Sequence, residues 1–178
     1  MPASIEITVD SALVAEAFDR LEAAVKDLRP AMRNAGGLLE KETNENFRAQ
    51  GRPPWQPLSQ ATILHRLMGT GGRSSVFRKD GGLKASARRK LEGGMAILQD
   101  TGDLRDSVQP HYPDALSVII GSVKEYAAIH QFGGMAGRSR KVRIPRRQYI
   151  PIDAAGSLEP MAEKGVLDAI LDHIARAL

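Results

Sequence analysis

The chain is predicted to fold as an α+β protein, in which a small antiparallel sheet packs against a long N-terminal helix and further helices, with extended basic loops or arms. Three observations lead there. Apolar residues recur at three- and four-residue steps near both ends of the chain, the spacing of one helical face. Short runs rich in Ile, Val and Leu at 5–9, 95–99 and 116–120 have the length of strands. Two glycine-containing basic stretches, Arg66 to Lys90 and Arg138 to Arg147, hold few apolar residues and read as loops. At 178 residues the chain suits a single domain, and a domain of that size buries roughly 70% of its unfolded surface. Hydrophobic residues make up 42% and aromatics only 4%, so the core must rest on aliphatic side chains.

Ile5, Ile7 and Val9 alternate with polar neighbours and predict a short, half-buried strand. A helix follows, with Val14, Ala17, Phe18, Leu21, Val25 and Leu28 on one face, Asp10 or Ser11 as its cap and Pro30 as its stop. It is the clearest amphipathic helix of the chain. Ala35, Leu38, Leu39 and Phe47 predict a second helix over 31–48, and its Gly36-Gly37 pair marks a kink or a close helix contact. Three prolines in 51–59 forbid a helix and present Trp55, the only tryptophan, on a stiff extended segment. Ser59 is placed to cap a short helix over 61–67.

Residues 69–94 combine seven glycines with Arg73, Arg78, Lys79, Lys84, Arg88, Arg89 and Lys90, and are predicted to be a flexible basic insertion, mobile until a partner orders it. A strand over 95–99 follows, then a helix over 101–107 capped by Asp100, and a second strand over 116–120 that pairs antiparallel with the first. A helix over 123–131 ends at Gly133. The basic loop 135–147 leads into an extended 148–152, in which Pro151 suggests a sheet edge. A last helix over 158–178 gathers Leu167, Ile170, Leu171, Ile174 and Leu178 on one face.

The formal charge of +4 is unevenly spread. Residues 1–50 hold nine acidic side chains, while the cationic excess lies in the middle and late chain, a distribution that suits a nucleic acid or head-to-tail contact between unlike faces. The absence of cysteine excludes disulfides, thiolate metal sites and a cysteine nucleophile, and fits a reducing cytosol. With neither a signal-peptide pattern nor a membrane-length apolar run, the sequence reads as soluble and intracellular when made. The four histidines show no metal-binding spacing, and neither a nucleophile elbow nor a phosphate-cradling loop occurs. No catalytic residue, cofactor, metal or small-molecule substrate is expected. His130 falls on a helix packed against the sheet, where a hydrogen-bonded structural histidine is commoner than a general base. Trp55 reads equally as a core plug or as an anchor between subunits.

Phe47, the segment 55–59 (Trp-Gln-Pro-Leu-Ser), Leu98 to Ser107, Tyr126 to Gly133, and 144–151 (Ile-Pro-Arg-Arg-Gln-Tyr-Ile-Pro) together resemble the phage virion morphogenesis family, the tail completion proteins of Mu-like phages and prophages. The resemblance runs from about residue 5 to the final helix. At 146–149 the chain has Arg-Arg-Gln-Tyr where the family usually has proline-arginine-proline-phenylalanine. What it implies is a structural, non-enzymatic protein of the virion neck or tail top, made in the host cytoplasm. Such a protein completes the tail and helps it join the head as part of a homo-oligomeric ring, sixfold by the symmetry of phage tails. Its partners would be neighbouring neck and tail proteins, a head-closure protein and a tail terminator or tube, together with passing DNA. Candidate assembly residues are Trp55; Arg73, Arg78, Lys79, Arg88, Arg89 and Lys90 of the insertion; Arg105; Tyr126, His130 and Phe132; and Arg140, Lys141, Arg143 and Arg147 of the basic loop. A DNA-binding protein using the same cations on phosphates is the main rival, although neither a recognition helix nor an aromatic stacking platform is evident. A small hydrolase without a motif is the third reading.

Overall fold

A computed structural model of the chain describes residues 11–153 and 155–177, and the expected strand over 5–9 lies outside them. The fold is α+β. Its elements run α1 (Ser11–Lys26), α2 (Arg29–Ala49), α3 (Gln60–Met68), α4 (Arg73–Val76), α5 (Ala85–Glu92), α6 (Asp103–Asp106), β1 (Val108–His111), β2 (Ile119–Ser122), α7 (Ala127–Phe132), β3 (Gly134–Ala136), β4 (Val142–Ile144) and α8 (Pro160–Ala175), with single 3-10 turns at Gly69–Gly71 and Arg138–Arg140. The strands form two separate antiparallel pairs, β1 with β2 and β3 with β4.

The organising element is α2. Pro30 lies in its first turn, where a missing N–H costs nothing, so it starts this helix instead of ending α1. One face buries Ala31, Met32, Ala35, Gly36, Leu39, Thr43, Asn46 and Phe47. The Gly36-Gly37 pair leaves the helix unbroken. Gly36 marks a close contact with a strand: a Cβ there would lie 2.4 Å from the Tyr112 hydroxyl and 3.1 Å from the Pro110 side chain. On another side α8 lies along α2, and Gly165 admits the Leu38 side chain where a Cβ would meet it at 2.5 Å.

At the C-terminal end of α2 the three motif regions of the sequence converge. The Phe47 ring meets Trp55 edge-on at 5.8 Å and Tyr149 at 5.3 Å, and this cluster extends to Leu98, Leu104, Val108, Ala127 and Ile150. Such aromatic pairs add about 0.5–1.5 kcal/mol beyond the area they bury. The polar groups that Asn46, Trp55, Gln131 and Tyr149 carry into this cluster are paired, as a dry interior demands. Trp55 Nε1 donates to the Gln148 carbonyl at 2.9 Å, Asn46 Nδ2 to the Tyr149 carbonyl at 3.0 Å, and the Tyr149 hydroxyl to the Ala127 carbonyl at 3.0 Å. Gln131 Oε1 accepts from the amides of Tyr149 and Ile150, while its Nε2 donates to the Ile150 carbonyl. Gln131 thus does for the extended 148–152 what a neighbouring strand would do, and among the described residues that segment joins no ladder beyond a single bridge from Ile152 to Leu158.

Several predicted elements shift for local reasons. Residues 95–99 form no strand, because Gln50 and Gln99 tie this stretch to α2 through the Ile97 amide and the Phe47 carbonyl; Leu98 adopts φ 59° and still enters the core. The partner of β2 is instead β1, in the register Val108 opposite Ser122 and His111 opposite Ile119. The second strand starts late, after Asp114 accepts from the Leu116 amide at 2.8 Å and holds a turn. Asp100 does not cap α6, whose N-cap is Gly102 at φ 89°, and Thr101 accepts from the Asp103 amide. Ser59 does cap α3, accepting from the Thr62 amide at 3.2 Å.

The insertion 69–94 carries regular structure where an arm was expected. Arg78 N donates to the Gly82 carbonyl and Lys84 N to the Val76 carbonyl, closing a tight loop between α4 and α5. Val76 and Ala87 are buried, and both helices lie against α3. The basic loop 135–147 is likewise built as a hairpin, pairing Met135 with Arg143 and Ala136 with Val142. On α8, Ile170 and Ile174 are half-buried whereas Leu167 and Leu171 are exposed, so the predicted single face divides.

Candidate interaction surface

Three surfaces collect the residues left for function: a basic cavity beneath the β3–β4 hairpin, the cations of the insertion and hairpin, and the outer side of α1. The cavity, of about 590 Å³, forms where α7 and the hairpin meet the 56–59 loop, α3 and the 98–104 segment. Gly133 makes this junction possible. Its φ of 73° ends α7, and a Cβ there would lie 2.9 Å from the Arg146 amide nitrogen.

Arg147 lines the cavity and is only 7% exposed. Its amide donates to the His130 carbonyl at 2.7 Å, and its guanidinium donates to the carbonyls of Gln56 and Pro57 at 3.1–3.3 Å. No carboxylate among the described residues pairs with it. Arg66 stands on the same wall, donating to the Ala96 carbonyl at 2.7 Å and lying 3.6 Å from Asp100. Burial, and then the nearby Arg66 charge, lower the Arg147 pKa from its ordinary value. His130 Nδ1 is buried without a hydrogen-bond partner, and Tyr126 meets its ring edge-on at 6.0 Å. Burial and the Arg147 charge hold the His130 pKa below the ordinary imidazole value. His130 is therefore not the hydrogen-bonded structural residue expected of its position. With Leu98, Leu104, Val142 and Ile144 as apolar walls, the site offers positive charge beside hydrocarbon, which suits an anionic group on an apolar stem.

The remaining predicted residues are spread out. Trp55 lies in the core, as does the guanidinium stem of Arg147. Arg73 opens α4 with its guanidinium 4.9 Å over the Phe77 ring, and Arg78 and Lys79 occupy the exposed turn after it. Arg88 and Arg89 are exposed on α5, whereas Lys90 donates to the Arg66 carbonyl and fastens that helix to α3. Arg105 pairs with Asp106 on α6. Tyr126 and Phe132 are 43% and 53% exposed at the two ends of α7, and Arg140, Lys141 and Arg143 project from the hairpin.

Sequence reasoning read α1 as the clearest amphipathic helix of the chain, and this is where it missed a surface. The helix forms as predicted, but it buries no residue. Ala17, Leu21 and Ala24 are half-covered where α1 meets α8, while Leu13 and Phe18 are 66% and 65% exposed beside Val14 and Val25. Leu167 and Leu171 of α8 add to the apolar surface of the subunit. Contiguous apolar surface of this kind marks interaction sites. Among the described residues no helix is long and apolar enough to cross a membrane.

Comparison with known proteins bears on what such surfaces serve. The chain is 31% identical over 170 residues to the Mu-like prophage FluMu G protein 2 of Haemophilus influenzae, covering 95% of each chain. It is 27% identical over 183 residues to the putative capsid assembly protein G of Escherichia phage Mu, covering all of this chain and 99% of that one. No solved structure matches it at a significant level. A profile of the phage virion morphogenesis family matches residues 9–175, and the chain belongs to that family.

Proposed function

We propose that the protein is a structural component of the phage neck, where rings of it complete the top of the tail and help join it to the head, with sixfold symmetry to match the tail. The observation that carries this reading is the uncovered apolar side of α1 in a chain whose family serves virion morphogenesis. A subunit that exposes Leu13, Val14 and Phe18 along one helix is completed by association, since burying each such side chain contributes roughly 1.5–3 kcal/mol. Its role is contact, not chemistry, in the virion and, before that, in the host cytoplasm where particles assemble. The neighbours proposed for the ring are a head-closure protein on one side and a tail terminator or tube protein on the other.

Deleting the gene tests this. Filled heads beside unattached or defective tails are expected, restored by the wild-type gene and not by one carrying Leu13→Asp with Phe18→Asp. Normal infectious particles from the deletion would overturn the reading. A second reading, contact with passing DNA, is favoured by the exposed Arg138, Arg140, Lys141 and Arg143, none of which forms an ion pair among the described residues.

A further inference from the structure

The cavity beneath the hairpin holds more positive charge than the subunit neutralises. Arg66, Arg143 and Arg147 face it, with Asp100 as the one carboxylate among the described residues of its walls, and Asp100 lies 3.6 Å from Arg66. A guanidinium as buried as that of Arg147 is ordinarily matched by a carboxylate, because carbonyl oxygens satisfy its N–H groups but not its charge. The orphaned His130 Nδ1 on the same wall is a second polar group left open by the fold.

The complement is present on the same chain, on a different face. On α1, Glu16 and Asp19 are exposed and form no ion pair among the described residues; Lys26 and Arg29 are engaged by Glu22 and Asp27, and the exposed Arg20 beside the two acids leaves the patch with one net negative charge. Glu16 stands one turn beyond Leu13, so a carboxylate borders the uncovered apolar stripe. Acid beside hydrocarbon on α1 mirrors base beside hydrocarbon in the cavity. Because α1 rests on α8, whereas the cavity is built from α3, α7 and the hairpin, the two surfaces do not overlap, as a head-to-tail contact requires.

We propose that the cavity is a socket for α1 of a second copy of this chain, receiving the Glu16 and Asp19 carboxylates against Arg143 and Arg147, with Leu13 against Val142. This rests on the ring reading above and supplies its contact. Opposite charges at such a contact fix its direction and register, so one copy passes its α1 to the next until the ring closes.

Light scattering on the size-fractionated full chain decides it. Wild-type protein should assemble, whereas Glu16→Arg with Asp19→Arg, or Arg143→Glu alone, should each stay monomeric at about tenfold higher concentration with an unchanged melting curve. An equal mixture of the two variants should assemble again. In that mixture each intact α1 meets an intact socket, and each reversed α1 meets a reversed one. As a check that does not depend on charge, Leu13→Cys with Val142→Cys in this cysteine-free chain should give a covalent ladder on oxidation, which neither single variant gives. Variants that assemble like wild type, or a double-cysteine protein without a ladder, would overturn the socket while leaving the ring standing if wild type still assembles. Wild type that stays monomeric, together with a double-cysteine protein that yields no ladder, removes both. Arg143→Glu that assembles normally but no longer retains duplex DNA would turn the cavity toward phosphate and also overturn the proposal.

Discussion

The two helices at the start of the chain look alike in sequence and behave oppositely in the fold. By periodicity α1 is the better amphipathic helix, with an unbroken run of apolar positions, while α2 is interrupted by two adjacent glycines and by Thr43 and Asn46 on its inner face. Yet α2 buries eight residues and α1 buries none. The difference lies in what the rest of the chain brings to each. Trp55, Tyr149 and Leu98 come to Phe47, and Pro110 and Tyr112 to Gly36, whereas among the described residues α1 packs mainly against α8. A hydrophobic stripe reports that a face must be covered, and whether its own subunit covers it is decided by long-range contacts.

The comparison breaks most visibly at the two phenylalanines. Phe47→Ala removes a fully buried ring from between two other rings and should cost about 3–5 kcal/mol. Phe18→Ala, at 65% exposure, should change the stability of the dilute subunit by no more than about 0.5 kcal/mol while impairing assembly. Denaturant unfolding of both variants measures the gap. Equal losses would mean that α1 is packed as well as α2 in the free subunit, and the proposed assembly surface would disappear with the contrast.

The same contrast explains what was legible beforehand. The cap of α3, the apolar face of α1 and the glycine stop of α7 follow from local rules of capping and spacing, and the sequence shows them. The hairpin at 134–144 did not stand out, because three-residue strands give almost no alternation and the six cations over 138–147 mask Met135, Val142 and Ile144. The stretch 95–99 looked like a strand because Ile97 and Leu98 are apolar, but side-chain amides of Gln50 and Gln99 replaced the ladder, and long-range glutamine contacts leave no periodic mark. Of the candidate residues, Arg147 was grouped with surface cations by its neighbours in sequence, and only the fold shows it holding the 56–57 carbonyls from inside. The cavity could not be read at all, since its walls come from five separate stretches of chain.

A smaller effect sharpens the description of the α2 side as dry. Tyr149 is 1% exposed, and burial pushes its phenol up to about 12. A group whose folded pKa lies above its unfolded value, about 10 for tyrosine, contributes stability that is complete below pH 10 and is lost as pH rises through 12. The loss should approach roughly 3 kcal/mol, and Tyr149→Phe should abolish it while forgoing the hydrogen bond to the Ala127 carbonyl at every pH. Unfolding measured from pH 8 to 12 on both proteins provides the check. A wild-type curve that falls no faster than that of the variant would show that water reaches the phenol.

The finest test lies inside α2 itself, at its adjacent glycines. Both should gain the same helix propensity on becoming alanine, about 0.5–1 kcal/mol, since neither has a positive φ. At Gly37 nothing lies within 4 Å of the added carbon, so Gly37→Ala should raise stability by the whole of that amount. At Gly36 the same carbon would stand 2.4 Å from the Tyr112 hydroxyl and 3.1 Å from Pro110; the 40%-exposed tyrosine can swing outward, but the proline is held in β1. Gly36→Ala should therefore gain less than Gly37→Ala or become destabilising, and the difference between the two melts isolates the packing of α2 on β1 from the propensity of the helix. Equal gains at both positions would mean that the strand does not press on α2, and that the covered helix of the pair is covered chiefly by α8 and by the aromatic cluster at its C-terminal end.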